Sequence, residues 1–130
     1  MALDQQQAAE FEARLRDRAR QLRDEIRATL ERSNDETHLE IAGRMRDAGD
    51  ESFSALIVDL NLFDINRDAD ELRRIEAAML RLKQGRFGEC IDCGQEIPLE
   101  RLEAEPTAAR CVKCQELHEK TYVSPVTPTL

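Results

Sequence analysis

The sequence predicts an all-α chain: a long antiparallel coiled-coil hairpin, a small four-cysteine module and a short C-terminal helix. Three observations carry this. Charged residues make up 35 % of the 130 residues and aromatic residues only 4 %, a mix that suits long solvated helices better than a broad globular core. Apolar residues recur at three-to-four spacing in two long stretches. All four cysteines fall in a single compact pattern near the C-terminal end.

The first helix spans residues 4–32, rich in Ala, Glu, Arg, Leu and Gln and free of Gly and Pro. Phe11, Leu15, Leu22, Ile26 and Thr29, with Ala19 or Arg18 between, form one narrow seam that needs a partner helix. The second half of the chain offers one. Phe53, Leu56, Leu60 and Phe63 form a stripe, and Ile65, Leu72, Ile75, Met79 and Leu82 form another shifted in phase, which implies a stutter or bend. Two places can hold the turn. Gly49 with a capping Asp50 or Ser52 is the stronger breaker, so the tip is expected near 43–52. Ser33-Asn-Asp35 is the rival, and breaks at both remain open. With the later turn, Asp50–Gln84 is a helix of 35 residues, about 50 Å long. The expected organisation is therefore a hairpin over 1–84, a cysteine module over 85–116, a helix over 115–122 and a loose tail over 123–130.

Cys90 and Cys93 are followed, after 17 residues, by Cys111 and Cys114. Two residues between cysteines let one tight turn aim both sulfurs at a point, and two such pairs supply the four soft ligands that Zn²⁺ takes in a tetrahedron. Gly94 follows the first pair, where a turn presenting N–H groups to sulfur favours glycine. Four thiolates close the shell, so one structural zinc is expected rather than a catalytic one. Disulfides suit a secreted protein, and a redox pair needs a strand-helix-strand unit that the sequence lacks. His38 and His118, the two histidines, receive no role.

The net charge of −8 lowers the odds of DNA binding, which draws on Lys and Arg. No apolar run approaches the ~20 residues of a spanning helix, and Met1–Glu12 has no signal-peptide core, so a cytoplasmic protein without membrane attachment is expected. No nucleophile–base set and no phosphate loop is present, so no enzymatic activity is expected.

The stretches Gly85–Cys90, Arg101–Cys111 (Arg-Leu-Glu-Ala-Glu-Pro-Thr-Ala-Ala-Arg-Cys) and Glu71–Glu76 closely resemble the DksA/TraR family of zinc-finger transcription regulators. The resemblance is strong over roughly 66–116, weaker but in register back to Asp47, and architectural over helix one. It implies a monomer that binds bacterial RNA polymerase directly, without sequence-specific DNA binding, and puts its hairpin into the secondary channel. It implies acidic tip residues acting near the catalytic centre, and a zinc module and terminal helix that grip the channel rim. The family tip motif, Asp-x-x-Asp-x-Ala, corresponds here to Asp47, Asp50 and Ser52, with Ser in place of Ala.

In the best-known members guanosine tetraphosphate strengthens the effect. Arg67 and Arg74 match the family's basic positions on the second helix, but Glu105 replaces an Arg and Gln115 a Lys, so dependence on the nucleotide is expected to be weak or absent. The charge pattern agrees with a pore-inserted tip. From Asp47 to Glu71 there are eight acids and one base, Arg67, whereas Arg14–Arg32 holds seven Arg against four acids. Two rivals stand beside this reading. One is a zinc-ribbon nucleic-acid binder using Arg86, Arg101, Arg110 and Lys113 with Phe87 as stacking residue. The other is a family member that blocks the channel without full regulatory activity, because Ser52 alters the tip.

Overall fold

The computed structural model describes residues 3–48 and 63–123. Its order is α1 (Gln5–Glu31), α2 (Glu36–Ala48), α3 (Phe63–Lys83), α4 (Leu99–Ala104) and α5 (Val112–Val123). The sole β pairing among the described residues is a single bridge between Glu89 and Glu96. No helix there is long and apolar enough to cross a membrane.

Helix α1 starts where the chain supplies a reciprocal cap. The Asp4 carboxylate accepts the Gln7 N–H at 2.7 Å, and the Gln7 side chain accepts the Asp4 N–H at 3.1 Å. Its apolar seam is Phe11, Leu15, Ala19, Leu22, Ile26 and Leu30, all buried. This settles two points of the sequence reading. Ala19 fills the seam, which frees Arg18 to pair elsewhere. Leu30 closes the seam in place of Thr29, whose hydroxyl bonds the Glu25 carbonyl one turn back.

Helices α1 and α3 pack antiparallel. Phe11 near the start of α1 meets Phe87 beyond the end of α3, and Arg18 meets Glu71 farther along both. From α3 the seam presents Ile65, Ala69, Leu72, Ile75 and Ala78, each no more than 1 % exposed, with Met79 and Leu82 packed at its margin. The Arg18 guanidinium grips the Glu71 carboxylate with two bonds of 2.8 and 2.9 Å across the hairpin.

The helix expected over 4–32 ends at Glu31, and the break left open at Ser33–Asp35 is made. The seam explains why. After Leu30 the next core positions would fall on Ser33 or Asn34 and on Thr37, all polar, so no burial holds the chain helical there. Those residues instead cap the next helix. The Asp35 carboxylate accepts the N–H of Thr37 at 2.8 Å and of His38 at 3.4 Å, while the Ser33 hydroxyl accepts the Asp35 N–H and meets His38 Nδ1 at 2.7 Å. Helix α2 then turns back on α1. Arg46 pairs with Glu31 at 2.8 Å, although in one straight helix they would stand about 22 Å apart. Ile41, Ala42 and Met45 on its inner face join the buried cluster. The favoured turn at Gly49–Asp50, the stripe Phe53–Leu60 and the first part of the expected 35-residue helix lie outside the described residues, as does the tail from 124 onward.

A candidate zinc centre and the cavity beside it

Helix α3 ends in a left-handed glycine. Gly85 has φ +72°, its N–H bonds Leu82 O at 3.2 Å, and the Arg86 N–H bonds Arg81 O at 2.8 Å, the two closures of a Schellman stop. The chain leaves this stop aimed across the root of the hairpin, and Phe87 drops into the core 5.2 Å from Phe11. A narrow loop follows, closed by Ile97 N–H to Gly88 O at 2.7 Å and Cys90 N–H to Gln95 O at 2.8 Å. Within it the first cysteine pair turns through Gly94 at φ +77°, whose N–H returns to Cys90 O at 2.9 Å. An added side chain there would meet open space but would hold a strained backbone, so the glycine expected after the first pair serves the turn itself.

The second pair is built differently. Cys111 immediately precedes α5 and Cys114 lies in its first turn, with the Gln115 N–H bonded to Cys111 O at 2.9 Å. Helix α5 thus begins at Val112, three residues earlier than the sequence suggests, because the turn of the second pair is also the first turn of the helix. Its N-terminal end faces the sulfurs, where the helix dipole favours negative charge. The intervening α4 was not read from the sequence. It is only six residues long, and it buries Leu102 at 1 % exposure.

The four sulfur atoms lie within 4.8 Å of one another, with Cys93 and Cys111 at 3.9 Å. A tetrahedron with Zn–S bonds of about 2.3 Å has sulfur–sulfur edges of about 3.8 Å. The cluster therefore fits one zinc ion. Its electrostatics fit as well. Burial pushes the Cys90 thiol up, but N–H groups of Cys93, Cys111 and Asp92 outweigh it and bring the pKa down to about 6. The thiol of Cys114 is pushed up to about 12, first by its hydrogen bond with Cys111 and then by burial. One thiolate forms readily, and the remaining negative charges need a dication among them. Four sulfurs complete the shell, so the zinc is structural.

A family model described as the prokaryotic dksA/traR C4-type zinc finger matches residues 85–120. The RNA polymerase-binding transcription factor DksA of Escherichia coli K12 is 34 % identical over 117 residues, covering 90 % of this chain and 74 % of that protein. The chain belongs to the DksA/TraR family. The Haemophilus influenzae DksA is 42 % identical over 60 residues, which cover 46 % of this chain and 41 % of that protein. The solved structure of the transcription factor DksA2 from Pseudomonas aeruginosa superposes with a TM-score of 0.62 at 28 % identity, covering 92 % of this chain and 88 % of that one.

The other residues singled out by the DksA/TraR resemblance are distributed unevenly. Asp47 is exposed near the C-terminal end of α2 and makes no ion pair among the described residues. Asp50 and Ser52 lie outside them. Arg67 and Arg74 are exposed two turns apart on α3. Arg74 joins Glu105 and Gln115 in the wall of one cavity of about 470 Å³, together with Arg81, Arg101 and Arg110; Arg67 does not line it. Of the two α3 arginines named from the sequence, Arg74 thus shares a cavity with the two family-divergent positions. Sequence reasoning missed Arg81, whose Nη2 donates to Thr107 O at 3.5 Å and whose pKa is lowered by burial. The signal available for Arg81 was its spacing, two turns after Arg74 on the same helix face.

Proposed function

We propose that this chain is a non-enzymatic, monomeric regulator of transcription in the cytoplasm that binds bacterial RNA polymerase directly. In this reading the hairpin enters the secondary channel and carries Asp50 and Asp47 toward the active centre. The observation that carries it is the family membership, joined to a zinc module docked on the root of an antiparallel helix pair. The Escherichia coli and Haemophilus influenzae relatives named above are RNA polymerase-binding transcription factors, and the module-on-hairpin architecture suits a lever whose base is gripped and whose far end acts. Action at the tip is then steric and electrostatic, which needs no nucleophile or open metal position.

The cavity supports a second part of the proposal, that guanosine tetraphosphate has little effect. A polyanion needs several cations in fixed places. Here Glu105 adds a carboxylate to the wall, Arg110 is already tied to Asp92 at 2.7 Å, and Arg101 and Arg81 donate to the carbonyls of Arg110 and Thr107. A carboxylate within several ångströms of a phosphate costs on the order of 1–3 kcal/mol, roughly tenfold to more than a hundredfold in affinity.

The nucleic-acid reading loses ground on a specific feature. Phe87, its stacking residue, is 2 % exposed and packed on Phe11, and two of its four bases are held by the module's own structure.

The experiment is co-purification with bacterial RNA polymerase followed by transcription in vitro from a ribosomal promoter. Asp50→Asn, which retains capping ability, should bind normally and lose most of the transcriptional effect. Failure of the unaltered protein to bind polymerase would overturn the proposal. A strong response to guanosine tetraphosphate, with no gain from Glu105→Arg/Gln115→Lys, would overturn its second part alone.

A further inference from the structure

The two cysteine pairs are separated by 17 residues, so a zinc site built from them can open by the pairs moving apart. Besides the contacts of the sulfurs themselves, two contacts cross that division. The Ile91 N–H bonds Ala109 O at 2.9 Å, joining the backbone just after Cys90 to the backbone just before Cys111. On the side-chain level, Arg110 Nε donates to Asp92 Oδ2 at 2.7 Å. Asp92 sits inside the first pair, and Arg110 directly precedes the second. The Arg110 side chain is 21 % exposed and that of Asp92 45 %, so the contact is partly withdrawn from water.

Arg110 is in turn anchored from behind. Its carbonyl accepts Arg101 Nε from α4 at 3.0 Å, and α4 is tied to the hairpin by Arg14 Nη2 donating to Glu103 O at 3.0 Å. The sequence α1–α4–Arg110–Asp92 is therefore a continuous set of contacts from the hairpin to the first cysteine pair. Charge gives Arg110 a second task. A zinc ion with four thiolates carries a net charge of −2, and Asp92 adds another negative charge within the loop that holds two of the ligands. A fixed guanidinium offsets that excess where a neutral residue would not.

We infer that Asp92 and Arg110 form a clasp across the two cysteine pairs, a pair of positioning residues that slows the loss of zinc. Neither residue ligates the metal. The clasp holds the pairs together while one metal–sulfur bond is transiently open, so that the bond re-forms instead of the ion escaping. An ion pair of this exposure supports an effect of about two- to fivefold on the release rate.

The test uses the full-length, zinc-loaded protein mixed with excess chromophoric chelator, with zinc transfer followed by absorbance and folding by far-UV circular dichroism. Asp92→Asn and Arg110→Gln should each release zinc two- to fivefold faster. The double variant should be no faster than either single one, and the reversed pair Asp92→Arg/Arg110→Asp should recover most of the lost retention. High salt should narrow the gap between wild type and the single variants. Lys113→Gln, which removes a neighbouring cation outside the clasp, should leave the rate near wild type. Should Arg110→Gln fail to fold, Asp92→Asn decides alone. Release at the wild-type rate from Asp92→Asn, additive effects in the double variant, or equal acceleration by Lys113→Gln would each overturn the inference.

Discussion

The joint between hairpin and zinc module rests on one aromatic contact whose removal can be worked through. Phe11 on α1 is 5 % exposed and Phe87 in the module 2 %, with ring centroids 5.2 Å apart at 46°. Arg14 lies 5.6 Å above the Phe11 ring while its Nη2 bonds Glu103 O, so the same residue covers the ring and pins α4. Phe11→Ala removes a nearly buried ring and leaves a cavity that α1 and the module cannot close without moving, which costs about 3–5 kcal/mol. Of this, about 0.5–1.5 kcal/mol belongs to the ring pair itself, and it should appear as the coupling term in a Phe11→Ala/Phe87→Ala double-mutant cycle. Urea unfolding measures the total. Elemental analysis should still find one zinc per chain, because no ligand or knuckle contact is touched. Amide exchange should rise at the start of α1 and in α4, while the α1–α3 seam beyond Arg18 keeps its protection. Loss of zinc from Phe11→Ala, or a cost under about 1 kcal/mol with unchanged exchange, would refute the view that a metal-held module is docked by this contact.

Removing the metal should act in the opposite direction. Helices α1, α2 and α3 hold 27, 13 and 21 residues and α4 and α5 only 6 and 12, so chelation or Cys111→Ser should unfold 86–114 while lowering the helical signal by about a quarter at most, read by circular dichroism. The hairpin carries its own pH dependence. The hydrogen bond from Arg18 holds the Glu71 carboxyl below its usual range, so the pair's stabilisation is complete above the unfolded carboxyl's pKa and is lost as pH falls through the depressed folded value. The side chains are 43 % and 32 % exposed, so Glu71→Gln should cost no more than about 1 kcal/mol at neutral pH. The stability curves of variant and wild type should begin to converge as pH falls below about 4, where the unfolded carboxyl titrates, and meet below the depressed folded value. Asp68 has the reverse sign: burial raises its pKa, so its contribution favours the folded state at acid pH and is lost as pH rises through that value.

The zinc site was legible almost completely, because ligand chemistry constrains spacing more tightly than packing does. Four cysteines in two close pairs leave few arrangements, and the sulfurs are where the pattern puts them. The antiparallel seam was legible for the same reason in weaker form, since period and burial coincide at Phe11, Leu15, Leu22, Ile26, Ile65, Leu72 and Ile75. The break after Glu31 was harder to rank. Gly plus Asp outscores Ser-Asn-Asp as a local breaker, and its turn lies outside the described residues; the break after Glu31 follows from what the flanking residues can bury, and the polar stretch from Glu31 to His38 carried that information. Helix α4 escaped because six residues are too few to show a period. Its existence depends on Leu102 finding the core, and Pro98 leads into it without a side-chain cap.

Charge teaches a different lesson. In the sequence the acids between Asp47 and Glu71 form one undivided run, and their abundance argues for a tip suited to a cation-lined channel. Among the described residues the fold divides them by task. Glu71 is committed to Arg18 across the hairpin, Asp70 is paired with Arg73 a turn away, and Asp68 is half-buried with its ionisation disfavoured. Glu71 and Asp70 serve hairpin pairing and helix stability, and burial disfavours the charge of Asp68. Asp47 differs in kind: it is exposed, lies near the end of α2, and is held by no ion pair among the described residues. The electrostatic argument for function therefore rests on Asp47 and the motif it begins, and the acids nearer the root add nothing to it. Neutralising Asp68 or Asp70 should leave regulatory activity intact while shifting stability, whereas neutralising Asp47 should do the reverse.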